Sequence, residues 1–155
     1  MKNKIKKTLT DYHIAFPDID FLAEQIASAI TARNGDDNNL VIVANKGIHP
    51  IDESKLPAGD LFYASEGNIG GDPMSAESLK SDLEAITAKC ASKVKSKPYR
   101  KIYIVPSGFP IISQFITSAC FQITALPPVI LQYDRATGEY WPFELKVRQI
   151  VANAS

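Results

Sequence analysis

Three stretches of this chain carry the residue types that hold an anion. Pro106-Ser107-Gly108-Phe109 offers a hydroxyl and a glycine amide immediately before Pro110. Asn45-Lys46-Gly47 offers a cation beside a glycine, and Ser65-Glu66-Gly67-Asn68-Ile69-Gly70-Gly71-Asp72 places three glycines within five residues. Hydroxyl, ammonium and free backbone N–H groups are the donors that bind phosphate, and glycine lets backbone approach a ligand closely. None of the three is a GxGxxG fingerprint or a P-loop ending in Lys-Ser/Thr, so nothing here specifies a nucleoside triphosphate. Each also has a plain structural reading, because strand-to-helix turns use the same Gly, Ser and Pro residues and glycine-rich loops are common on surfaces.

The elements around these stretches must bring them together. Ile102–Val105 and Val129–Leu131 are runs apolar on both faces, which suit parallel strands covered on both sides. Between them Ile111, Ile112, Phe115, Ile116, Ala119 and Ile123 recur at helical spacing, with Pro110 in the first turn, predicting a helix over 110–124. The Ser107-Gly108 turn therefore sits where a strand's carboxyl end meets a helix's amino end, with its dipole facing outward. Leu40–Ala44 and Asp60–Ala64 read as two further strands, and Lys46 and the Ser65–Gly71 loop leave them at the carboxyl end. Leu79, Leu83, Ile86, Cys90 and Val94 form the core stripe of a helix over 75–95. These elements predict an α/β fold, a Rossmann-like and mainly parallel sheet of four to six strands flanked by helices. Ligands of open parallel sheets bind at the carboxyl edge.

At 155 residues the chain is expected to be one domain spanning 1–155, with residues 1–10 a basic arm. Tyr12–Phe16 reads as a short edge strand, Asp18 as the cap of a helix over 18–34, and Gly35 as its stop. Residues 48–59 read as a loop or a single short turn holding His49, a lone histidine more often structural than catalytic. Asp134–Gly138 reads as a hairpin turn into an antiparallel strand over Glu139–Leu145, placed at an edge by Pro142, with a short helix over 146–152. Seventeen basic residues balance seventeen acidic ones, which argues against a protein that coats duplex nucleic acid. Cys90 and Cys120 fall on apolar helical faces without metal-ligand spacing, so they read as buried free thiols in a reducing cytoplasm, with no metal and no cofactor expected. No apolar run approaches the length of a membrane span.

The segment from Lys101 to about Tyr140 resembles the CARF and SAVED superfamily of sensor domains, which bind cyclic oligonucleotides in CRISPR and related anti-phage systems. The resemblance rests on IYIVPSGFPIIS, the small-residue helix through Ala119, VILQYD and ATGEY, in that order and spacing. It departs from the familiar CARF turn, Gly-Gly-Thr-Lys, by carrying Ser107-Gly108-Phe109-Pro110 without the lysine, and the proline-bearing turn is closer to SAVED domains. SAVED domains contain two CARF-like halves, and this chain has the length of one. The resemblance implies a homodimer or higher homo-oligomer that completes a symmetric cleft for a cyclic oligonucleotide, most simply a cyclic oligoadenylate.

On that footing two functions compete. One is a metal-independent ring nuclease, in which the ligand's 2′-hydroxyl attacks the neighbouring phosphate while donors stabilise the developing charge. Ser107 and Lys46 are then the candidate catalytic residues. Ligand contacts come from Asn45, Lys46, Gly47, Ser65, Glu66, Gly67, Asn68, Gly70, Gly71, Pro106, Ser107, Gly108 and Phe109. The other is a non-catalytic sensor or assembly subunit regulating a separate effector protein, with Phe109, Tyr140, Trp141 and Phe143 as a partner surface. An unrelated small-molecule enzyme on the same fold is a third reading.

Overall fold

The computed structural model describes residues 2–11, 19–31, 38–47, 50–144 and 146–154. Its centre is a five-stranded sheet of β1 (Asn39–Val43), β2 (Asp60–Tyr63), β3 (Lys101–Val105), β4 (Val129–Asp134) and β5 (Glu139–Phe143). The spatial order is β2-β1-β3-β4-β5. Neighbours among the first four strands run parallel, and β5 returns antiparallel to β4 at the edge, where the missing N–H of Pro142 costs the ladder least. The α/β architecture is the one the sequence predicts.

The helices are α1 (Lys2–Asp11), α2 (Ile19–Thr31), α3 (Ala76–Lys95), α4 (Pro110–Thr124) and α5 (Val147–Ala152). Helix α3 starts where Ser75 accepts a bond from the Ser78 N–H, and it buries Leu83, Ile86, Cys90 and Val94. Helix α4 starts on Pro110 and stops at Ala125, a left-handed residue with φ 56°, just before Pro127 and Pro128. Its buried stripe is Ile112, Ile116, Cys120 and Ile123. Phe115, expected on that face, stands 47% exposed, since the stripe is narrower than the sequence spacing implied.

Both crossovers, β2-α3-β3 and β3-α4-β4, put their helices on one face, where they enclose Leu40, Ile42, Ile104 and the inner faces of α3 and α4. Each fully buried aliphatic side chain there contributes about 1.5–3 kcal/mol. The opposite face holds Val41, Val43, Val105, Val129 and Leu131 and is covered by Ile51 and Leu56. That cover is the β1-β2 connection, which contains a single 3-10 turn, Glu53–Lys55, in place of a helix.

The amino-terminal stretch expected to be a basic arm is helical, and α1 lies along α2 with an ion pair of 2.9 Å between Lys2 and Glu24. Tyr12–Phe16, Asp18, Gly35 and His49 fall outside the described residues. Among the described residues no helix is long and apolar enough to cross a membrane.

Candidate functional site

Strand order fixes where a crevice forms. The chain leaves β1 toward one edge of the sheet and leaves β3 toward the other, so the carboxyl ends of these neighbouring strands part, which is the place where open α/β sheets take ligands. Asn45 lies just past β1 and Ser107 just past β3. The Ser107 hydroxyl accepts from the Asn45 N–H at 2.9 Å and donates to the Asn45 carbonyl at 2.6 Å. One side chain thus clamps both backbone groups of a residue 62 positions away.

The third stretch joins them through backbone. Lys46 N donates to Ser65 O at 2.9 Å and Gly67 N to Lys46 O at 3.0 Å, extending the β1-β2 pairing past the strands proper. Ser65 Oγ donates to Ala44 O at 2.7 Å, and Asn45 Nδ2 to Gly67 O at 3.0 Å. Asn45, Lys46, Ser65, Glu66, Gly67, Ser107 and Gly108 therefore converge, as expected from segments leaving one sheet edge.

Gly108 is the tightest point. Its φ is +76°, and a Cβ there would stand 2.9 Å from Asn45 Cβ and 3.0 Å from Nδ2. Both the left-handed backbone and the close approach exclude a side chain. Immediately beyond, Phe109 at the N-cap of α4 makes no side-chain cap bond and Pro110 has no N–H, so the positive end of this 15-residue helix carries no side-chain cap. Beneath the turn lies Asn45, 1% exposed. With Nδ2 committed to Gly67, its Oδ1 is a buried side-chain acceptor without a hydrogen-bond partner among the described residues. A buried orphan of this kind costs free energy unless a donor reaches it.

Other expected site residues have different employment. The Gly70 N–H, counted as a phosphate donor, bonds Asp82 Oδ2 at 2.7 Å, and its carbonyl accepts from Ser75 N at 3.0 Å. Gly70 packs under Met74, and Gly71 lies against Ser78, so this pair shapes the entry to α3. Asn68 is exposed, and at Gly47, with φ +107°, an added Cβ would come no nearer than 4.0 Å to Gly67 N. Lys46 reaches toward β2, 3.8 Å from Glu66 Oε1 and 5.0 Å from the centre of the Tyr63 ring. Pro106 lines a groove between α4, β4 and α5. The Ser107 proton goes to a backbone carbonyl and not to a base, which is the arrangement of a clamp; a nucleophile needs an adjacent base.

The sequence reading missed a polar and aromatic wall on the second face of the sheet. Tyr63 donates a short bond to Glu53 Oε1, and this bond, with some burial, pushes its phenol up to about 12. Lys55 donates to Gly138 O at 2.9 Å and Glu139 Oε1 at 2.8 Å, stapling the 3-10 turn to the β4-β5 hairpin, and the Glu139 bond raises its pKa. Tyr133 and Tyr140 pack with ring centres 5.2 Å apart, and burial raises the Tyr140 phenol. Tyrosines ending β2 and flanking the β4-β5 turn were the available signal. Lys89, on α3, reaches the Tyr63 carbonyl at 3.1 Å. Lys93 and Lys97 likewise turn inward, to Asp60.

Among the described residues no group of three or more His, Cys, Asp or Glu side chains is placed to hold a metal ion. Burial pushes both Cys90 and Cys120 up to about 12, so neither thiol is a nucleophile at neutral pH. Comparison with protein-family models, curated proteins and solved structures finds no match.

Proposed function

We propose that this chain is a binding domain for a small phosphate-bearing ligand of the nucleotide class, seated over the Asn45–Ser107–Gly108 junction at the β1/β3 switch point. The observation that carries the reading is the coincidence there of a helix start without a side-chain cap, a glycine that keeps the surface bare of side chains, and a buried carboxamide oxygen that no donor among the described residues reaches. Phosphate is the chemistry suited to the first two, and a base or sugar donor is the chemistry suited to the third. The resemblance to CARF and SAVED sensors narrows the class to cyclic oligonucleotides, first among them cyclic oligoadenylate. A homo-oligomer would complete the cleft.

Sensing is favoured over cleavage because the two residues proposed as catalysts are otherwise engaged. Ser107 holds Asn45 on both sides, and Lys46 leans over Tyr63 toward Glu66. In this reading, occupancy of the site regulates an effector protein. The test is calorimetric titration with cyclic oligoadenylates of several ring sizes, with linear oligoadenylate and inorganic phosphate as controls, alongside chromatography of the ligand after incubation. Binding of a cyclic species without breakdown is the expected result. Breakdown would return the ring-nuclease reading, and absence of binding to every nucleotide would overturn the proposal.

A further inference from the structure

Among the described residues, the carboxyl-terminal end of the fold presents exposed apolar surface. Between α4, β4 and α5 runs a groove of about 840 Å³ whose walls include Gln114, Thr117, Phe121, Ile130, Val147 and Gln149. On α5, Val147, Ile150 and Val151 follow the i, i+3, i+4 spacing of one helical face, and all three are more than half exposed. Six residues are too few to hold a helix by propensity alone, so α5 needs packing on an apolar face to persist. The strand register adds Phe143, opposite Ile130, and Trp141, opposite Gln132, to the same side of the sheet. Leu126 closes the patch at the end of α4 and is 61% exposed.

We infer that this groove and the α5 stripe form a self-complementary interface, with α5 of a second copy of this chain seated in the groove and the reverse contact made across a twofold axis. Three observations choose a second copy. Groove and stripe lie side by side on one chain, which is what an isologous contact requires, since one patch must supply both knob and hole. Six large apolar side chains at about half exposure each offer on the order of 100 Å². Their sum, roughly 600 Å², is already at the top of the range for a monomer's largest patch and approaches the roughly 800 Å² per partner of a standard interface. Pro142 removes an N–H from β5, so the edge strand is poorly suited to pair with a foreign strand and association must proceed through side chains. The inference stands apart from the proposed ligand. Pro106 lines the groove, so the contact would adjoin the turn that carries Ser107.

Sedimentation velocity of the full chain over a concentration series tests it, with wild type, Ile150→Asp/Val151→Asp on the stripe and Ser118→Arg on the groove wall. All three substituted positions are exposed, so each variant is expected to keep a single cooperative thermal melt, which certifies folding. The expected result is a wild-type dimer whose dissociation constant rises about ten-fold or more in each variant, because each buries a charge in an apolar contact. A wild type that is monomeric at every concentration overturns the inference and leaves the groove to a different occupant, a small apolar ligand or another protein. A dimer indifferent to either the stripe or the groove change overturns it equally.

Discussion

Replacing Ser107 by Ala separates a clamp from a ligand donor. The hydroxyl satisfies the N–H and the C=O of Asn45 at 2.9 and 2.6 Å, and Asn45 itself is 1% exposed. Removing it strands one donor and one acceptor with little access to water. Each stranded group costs about 1–3 kcal/mol, and partial burial of the junction points to the lower half of that range, giving about 2–4 kcal/mol for the pair. Against a typical total stability of about 5–15 kcal/mol this is a large fraction. For a chain of this size it corresponds to a fall in Tm of roughly 4–16 °C. Differential scanning fluorimetry and urea denaturation without ligand measure it directly. Ser107→Thr, which keeps the hydroxyl, is expected to recover most of the loss. A Ser107→Ala protein whose Tm and urea midpoint equal those of wild type would refute the clamp and restore the residue to the pool of free phosphate donors.

Gly108→Ala is expected to cost at least about 1–3 kcal/mol, from the left-handed backbone and from a Cβ that would meet Asn45 at 2.9 Å, and Gly108→Val more, because its two γ-carbons add to that crowding; urea midpoints give both. Cys90 and Cys120 are expected to ignore a thiol reagent in the native protein at neutral pH and to react together once denaturant is added, so a fast native phase would contradict their burial. The Asp60 carboxyl is lowered to about 2 by the Tyr99 hydroxyl first and then by Lys97 and Lys93. A depressed carboxylate adds stability above its unfolded value and loses it as pH falls through the folded one, here between about 4 and 2. Its exposure keeps the contribution small. Asp60→Asn should flatten that acid limb of urea midpoint against pH, and identical slopes in the two proteins would count against the network.

What was legible in the chain divides by range. Strands β1, β3 and β4 and helices α3 and α4 follow from short apolar runs and a single helical stripe, which are local signals. The convergence of Asn45, Ser65 and Ser107 was also readable, since strands of one parallel sheet must end at the same edge. The partner of Ser107 was not, because it is the backbone of a residue far away in sequence and leaves no trace in residue type. Gly70 differs from its expected role for a related reason: a glycine's residue type suggests ligand access, whereas Asp82, on the next helix, occupies its amide. Helix α1 escaped because Ile5 and Leu9 are too few apolar residues to mark a face among its lysines, and its neighbour α2 is another helix and not the sheet's core.

The bond between Ser107 and Asn45 also orders events in time. Residues 45 and 67 are neighbours as soon as β1 and β2 pair in parallel, and both strands have been synthesised well before residue 107 leaves the ribosome. The junction cannot close until β3 has inserted beside β1, after α3 has been made and folded back, and such long-range closure comes late and slowly. Nascent or truncated chains lacking β3 would therefore hold much of the glycine-rich loop yet have no pocket. Any molecule that requires the closed junction binds only finished protein, and by mass action it draws incompletely docked chains toward the folded form.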